Sequence, residues 1–163
     1  MTSETDDRTD IELNLQAYRQ FATYRVSQLA ARMNSHAAKT LKQGGDLGLV
    51  QWRILTLLQV AAPITSAALI KLIAMDAGLF SRNLKAMVAD GLIDSRPDVT
   101  DQRQQILTLT PHGRAEYNRC LPAMQARRTM LMEGISAADK EIFFRTLDKI
   151  ESNLARHLNE VKV

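Results

Sequence analysis

The chain has 163 residues, 45% of them hydrophobic and 24% charged, with a net charge of +3. That length supports one domain, or one domain with a helical extension, whose core needs neither metal nor disulfide. The single Cys120 cannot form an intrachain disulfide, and no uncharged apolar run is long enough to span a membrane. The start, MTSETDDRTD, is acidic and polar, unlike a signal peptide, so the expectation is a cytoplasmic protein without a membrane partner.

Charge is unevenly spread. Residues 1–12 hold five acids and Arg8, a sum of −4; subtracting this from the net +3 leaves +7 on the remainder. An acidic lead-in before a basic body points to an anionic partner for the body.

In chain order, residues 1–10 read as a flexible acidic terminus. From Ile11 to Thr40 the apolar residues recur at helical spacing without Gly or Pro, with Thr9 or Asp10 as N-cap, and Gly44 and Gly45 break the pattern. A second helix, VQWRILTLLQVAA, is stopped by Pro63. Thr65 caps a short third, SAALIKLIA, and Asp76 opens a fourth, AGLFSRNLKAMVAD, which ends at Gly91. The last two form a helix-turn-helix pattern. Leu92–Arg96 and Gln104–Thr110 read as two strands around a polar turn of Pro97, Asp98, Thr100 and Asp101, with Leu107 and Leu109 on one face. That loop exceeds a two-residue hairpin, so its tip projects.

Pro111 starts a fifth helix, which Pro122 is expected to bend or interrupt. Ser136 caps the last helix, with an apolar stripe at Ile142, Phe143, Leu147, Ile150, Leu154, Leu158 and Val161. The terminal helices carry more apolar surface than one small core covers, which predicts burial against a second copy of the chain.

These segments, over roughly residues 11 to 160, resemble the MarR family of dimeric winged-helix regulators. LVQWRILTLL resembles the family's second helix. ITSAALIKLIAMDAGLFSRNLKAMVADGLI resembles its helix-turn-helix, with the Ser81-Arg82 pair and the Gly91-Leu92-Ile93 exit in place. DVTDQRQQILTLTPHGR resembles its wing, with the signature Asp-x-Arg…Leu-Thr-x-x-Gly, and ISAADKEIFFRTLDKIESNL its closing dimerisation helix. The expected fold is mainly α with a small β-hairpin wing: a winged helix-turn-helix core over residues 47–112, an N-terminal dimerisation helix over 11–43, and C-terminal dimerisation helices over 113–163. The resemblance implies a homodimer on a pseudo-palindromic double-stranded DNA operator. It also implies a repressor, released in many members by a small aromatic anion or by cysteine oxidation. The recognition helix departs from the family in being poor in basic residues, Lys85 being the only one after Arg82, so an operator preference does not carry over.

A recognition helix presents its N-terminal residues to base edges. That selects Phe80, Ser81, Arg82 and Asn83, with Lys85 one turn on. Arg82 is suited to guanine, Asn83 to adenine, and Ser81 and Lys85 to phosphates. Thr65 and Ser66 at a helix start cap it and can also meet a phosphate. In the wing, Arg103 is placed to enter the minor groove. Asp101, which phosphate repels, is expected to fix the guanidinium of Arg103 or of Arg96. Gln102 and Gln104 are secondary candidates. The bland alternatives are a solvated helix face and a solvated hairpin tip.

In the family the effector cleft lies between the dimer helices and the winged core. His36, Trp52 and Arg53 are the candidates, Arg53 for a carboxylate and Trp52 for a ring. A core aromatic and interhelical polar contacts are the alternatives. Cys120 has Arg119 beside it, which lowers a thiol pKa; a buried bystander is the competing reading, and a redox-responsive regulator the rival function. His36, His112 and His157 lack metal spacing, and no nucleophile-elbow, Walker or dinucleotide motif is present, so no catalytic residue, metal or cofactor is expected. A winged-helix module that binds protein and not DNA is the remaining alternative.

Overall fold

The computed structural model describes residues 15–73, 75–99 and 101–160. The proposed caps Thr9 and Asp10, the acidic lead-in, Thr100 in the wing turn, and the stripe residues Leu158 (as a side chain) and Val161 lie outside this description. Two compact units form, one ending at Arg127 and one beginning at Arg128.

The first unit holds α1 (Ala22–Gly44), α2 (Leu49–Ala61), β1 (Ile64–Thr65), α3 (Ser66–Ile73), α4 (Ala77–Ala89), β2 (Ile93–Pro97), β3 (Gln105–Leu109) and most of α5 (Pro111–Leu131). The second holds the end of α5 and α6 (Ala137–Glu160). The fold is the expected one, mainly helical with a small antiparallel sheet. Gly113, Tyr117 and Cys120 of α5 are buried.

The first helix is not continuous. Residues 15–18 are helical, and α1 restarts only at Ala22 after Phe21 takes an extended conformation. At the break, Gln20 and Phe21 donate to carbonyls three residues back, Ala17 and Tyr18, the tight pattern in which helices end. Tyr18 covers the break, its ring edge-on to Phe21 at 5.8 Å and 4.8 Å from Tyr24. Downstream, α1 ends at Gly44 with Gly45 as its C-cap, at the expected glycine break.

The core is built where helical and strand periods turn apolar residues inward. Leu41 of α1, Ile54, Leu55 and Leu58 of α2, Leu69 of α3, Met87 of α4, Ile93 of β2 and Leu107 of β3 are almost fully buried. Each such side chain contributes about 1.5–3 kcal/mol of transfer free energy.

The sheet has the order β1-β3-β2. β2 and β3 pair antiparallel from Ile93 opposite Leu109 to Pro97 opposite Gln105. β1, unforeseen in the sequence, pairs Ile64 with Leu107 and Thr65 with Ile106 on the other edge of β3. Two residues between a proline and a helix carry no alternation from which a strand can be read.

Local chemistry sets the ends of the reading elements. Asp76 caps α4 by accepting from the Leu79 N–H at 2.8 Å. Gly91, at φ 68, ends it: the Leu92 N–H reaches the Met87 carbonyl and the Gly91 N–H the Val88 carbonyl, the paired bonds of a Schellman motif. Ser136 caps α6, its hydroxyl accepting from the Asp139 N–H. Pro122 does not interrupt α5; its ring faces solvent, where the lost backbone bond costs least.

Where α5 starts, Thr110 Oγ accepts from the Gly113 N–H at 2.9 Å and donates to the Gly91 carbonyl at 2.6 Å. Gly113 then passes so close to Leu92 that a Cβ on it would sit 2.0 Å from the Leu92 carbonyl oxygen. Gly113→Ala is expected to destabilise the fold by at least about 3 kcal/mol, since neither backbone can yield without moving a whole element. Urea unfolding measures this, and a wild-type midpoint would disprove the close approach.

Candidate nucleic-acid interface

The first unit carries two projecting polar features, the α4 face and the wing tip. On α4 the residues sort by helical phase. Phe80, Leu84 and Met87 turn toward the core, while Ser81, Arg82 and Lys85 are exposed. This corrects the expectation for Phe80: at 4% exposure it is a core residue, and its place in the first turn does not bring it to the surface. Asn83 is half-buried and donates its side-chain amide to the Leu79 carbonyl of its own helix at 2.9 Å. That commits one of the hydrogens with which it would read adenine. Gly78 shares the exposed face with Arg82, four residues on, and had no part in the sequence expectation. A glycine in the first turn of a recognition helix was the available signal.

Thr65 combines two roles, ending β1 and capping α3 through the Ala68 N–H, which its hydroxyl accepts at 3.1 Å. Ser66 beside it is half-buried. A phosphate contact from this helix start therefore falls mainly to backbone N–H groups.

The wing tip is closed by the Asp98 N–H on the Gln104 carbonyl at 3.0 Å and by the Gln104 N–H on the Asp101 carbonyl at 2.8 Å. The carboxylate of Asp101 takes the Arg103 backbone N–H on one oxygen and the Gln104 side-chain amide on the other, both at 3.1 Å. This corrects the expected role of Asp101, whose partners are the main chain of Arg103 and the amide of Gln104. Arg96 is paired with Asp94 at 2.7 Å instead, through a side chain 79% exposed. An exposed pair of that kind contributes at most about 1 kcal/mol. Arg103 and Gln102 stand exposed at the tip, while Gln104 is half-buried. Asp101 thus fixes the height and direction of the Arg103 main chain while leaving its side chain outward.

The effector candidates are not brought together. Trp52 is 8% exposed and stacks on Tyr117, with centroids 4.8 Å apart and planes 9° from parallel. It is a core aromatic, which corrects the ring-stacking expectation. Arg53 donates to the Asn34 side chain at 2.7 Å. His36 Nδ1 accepts from Arg127 Nε at 3.2 Å, and Arg127 also donates to the Met33 carbonyl at 2.7 Å. Asn34 and His36 lie on α1 about 200° apart around its axis, so Arg53 and His36 serve different faces. Arg127 was invisible in the sequence because its partners lie at the other end of the chain. Burial pulls its guanidinium below the usual arginine range.

Cys120 is fully buried, beside Gly45. Burial pushes its thiol up, outweighing the Arg119 guanidinium that pulls it down. The expected Arg119 effect is present and loses to desolvation.

Apolar surface remains uncovered on both units. Val26 and Leu29 of α1, and Leu15, Tyr18 and Phe21 before it, are about half exposed; so are Ile142, Phe143, Phe144 and Leu154 of α6. Among the described residues no helix is long and apolar enough to cross a membrane.

Comparison with known proteins places this arrangement. Residues 46–104 match the model of the MarR family. The multiple antibiotic resistance protein MarR of Salmonella typhimurium is 29% identical over 97 residues, which is 60% of this chain and 65% of that protein. The chain therefore spans about 65% of the length of that curated relative. A MarR-family transcriptional regulator from Silicibacter pomeroyi is 30% identical, with a TM-score of 0.69 over 82% of this chain and 89% of that one. A mutant MarR from E. coli solved with operator DNA is 23% identical, with a TM-score of 0.66 over 78% of this chain and 94% of its own. At that last identity the likeness is one of fold.

Two outcomes follow from the geometry. Asp101→Ala removes the acceptor of the Arg103 N–H, and hydrogen exchange at that amide is expected to quicken about tenfold while the core amides are unchanged. Unaltered exchange at Arg103 would mean that the carboxylate does not hold the tip. Cys120 in the native protein is expected to resist an aromatic disulfide reagent at about pH 8 and to react fully once urea unfolds the chain. Rapid native-state reaction would contradict its burial.

Proposed function

This chain belongs to the MarR family, and on that premise we propose that it is a homodimeric transcriptional regulator that reads a double-stranded, pseudo-palindromic DNA operator. The observation that carries the reading is the two-sidedness of α4. Phe80, Leu84 and Met87 fix the helix to the core, and the opposite face offers Ser81, Arg82 and Lys85. A guanidinium in the first turns can take guanine bidentately, while a lysine and a hydroxyl hold phosphates. The wing adds a second contact, Arg103 on a tip whose main chain Asp101 ties down, aimed at the negative potential of a narrow minor groove. The +7 charge of the chain after residue 12 favours the encounter. The E. coli relative solved with operator DNA supports the same use of the shared fold.

Dimerisation is assigned to residues 11–43 and 113–163, on the half-exposed apolar side chains of α1 and α6. Two reading helices related by a two-fold axis then meet successive major grooves about 34–36 Å apart. Regulation is proposed as repression, relieved by a small aromatic or anionic effector. A basic contact for it is offered by Arg53 or by His36, which serve different faces of α1. Cys120 is not assigned a redox role, because its thiol is buried and its pKa raised.

The test is an electrophoretic shift with a duplex from upstream of the chain's own coding region, against a random duplex of equal length. Wild-type affinity is expected to favour the first and to fall steeply with salt. Arg103→Ala is expected to weaken operator binding at least about tenfold with the dimer intact by sedimentation. Equal affinity of the variant at fixed salt would sink the wing contact. A salt-independent wild type without sequence preference would favour a protein-binding module.

A further inference from the structure

The outward face of α4 is mostly apolar. Of the nine exposed residues of this helix, only Ser81, Arg82 and Lys85 are polar. Leu79, Ala86 and Val88 stand among them, with Leu79 and Val88 each 38% exposed. A helix that meets only water sets charged and polar residues opposite its buried stripe. The inward face is already filled by Phe80, Leu84 and Met87, so the outward apolar side chains have no place in the core.

Their arrangement is ordered. Leu79, Arg82 and Ala86 follow at intervals of three and four residues, which puts them in one row along the helix. Leu79 heads that row in the first turn, and both its side chain and that of Arg82 lean toward the leading end. The leading half of a recognition helix meets base edges. The backbone of Leu79 is tied at both polar groups: its N–H donates to Asp76 Oδ1 at 2.8 Å, and its carbonyl accepts the Asn83 side-chain amide at 2.9 Å. The second bond takes from Asn83 part of what it needs to read adenine. Gly78, on the same face, adds no side chain to hold the helix away from the bases.

In the major groove the apolar partner for a leucine is the 5-methyl group of thymine; the base edges otherwise present hydrogen-bond donors and acceptors. We propose that Leu79 is a specificity-determining residue that packs on a thymine methyl beside the guanine read by Arg82. The inference rests on the DNA-reading role proposed for α4. It gives a recognition helix with a single lysine after Arg82 a second means of reading. Charge holds the phosphates, and the leucine sorts A·T from G·C pairs where Asn83 is committed to its own helix.

The experiment exchanges thymine for uracil, which removes the methyl and keeps the base pairing. The wild-type protein selects a duplex from a random pool, and each thymine of that duplex is replaced singly by deoxyuridine. Affinities at fixed salt are compared for the wild type and Leu79→Ala. Leu79 lies outside the core and alanine is the better helix former, so the melting temperature is expected to be unchanged or raised.

At one thymine of each half-site, the wild type is expected to bind the uracil duplex about fourfold more weakly, the worth of one buried methyl group. Leu79→Ala binds the thymine duplex more weakly by a similar factor and no longer distinguishes thymine from uracil at that position. Its salt dependence matches the wild type, because no phosphate contact is lost. A preference for thymine that survives in Leu79→Ala overturns the proposal, since the methyl then acts through the shape of the duplex. So does a wild type indifferent to every thymine methyl. Both of those outcomes leave the regulator reading standing, because the selection itself succeeded. A wild type that selects no sequence from the pool sinks that reading and the Leu79 contact with it.

Discussion

The carbonyl of Leu92 is the point on which the reading elements depend. It accepts from the Thr110 N–H at 3.3 Å and lies where any side chain on Gly113 would have to go. Four elements end or begin within a few residues of it: α4 through Gly91, β2 through Ile93, β3 through Leu109, and α5 through Pro111. The angle between α4 and the wing is therefore fixed where their chains cross. Thr110 supports the crossing from both sides, as donor to the Gly91 carbonyl and as cap of α5. One turn further along α5, Tyr117 stacks on Trp52, so the same helix start also anchors the core.

Around that junction, acidic side chains in a basic protein are used as fixings. Asp76 caps α4, Asp101 ties the wing tip to its own backbone, and Asp94 pairs with Arg96. A carboxylate left pointing outward here would repel a phosphate backbone. One that accepts backbone N–H groups has its charge compensated and gives a shaped loop in return. Asp101 illustrates the economy of this: it holds the main chain of Arg103 and leaves the guanidinium to face outward. Arg96, tied to Asp94 on the strand, is the less available of the two arginines.

What could be read from the sequence was what is decided locally. The caps Asp76, Gly91, Pro111 and Ser136 act within a few residues of themselves, so their chemistry shows in the string, as does the apolar period of α6. β1 could not be read, because its partners Ile106 and Leu107 lie far along the chain and its two residues have no pattern of their own. Trp52 reads from the string either as a ring partner for an effector or as a core aromatic, because Tyr117, which covers it, is equally distant. Asp101 has arginines on either side in sequence, which made a guanidinium the evident partner; backbone N–H groups carry no letter. Phe80 is different. Its phase with Leu84 and Met87 was available at a period of 3.6, and its place in the first turn of the recognition helix outweighed that signal.

The polar residues read as effector contacts show how α1 is attached. Its buried residues, Ala37, Thr40 and Leu41, all lie in its second half. Just upstream of them, Asn34 receives Arg53 of α2, and His36 with the Met33 carbonyl receives Arg127 of α5. Apolar packing and these two clamps therefore fasten one end of the helix. The other end carries Val26 and Leu29 half exposed, continuing the aromatic cluster of Tyr18, Phe21 and Tyr24. Each half-exposed side chain at that other end has transfer free energy still to gain. The proposed dimer supplies that gain for the half-exposed side chains of α1. Asn34 and His36 stand at the transition between the two halves, so the hydrogen bonds from Arg53 and Arg127 mark where the packing of α1 on the core ends.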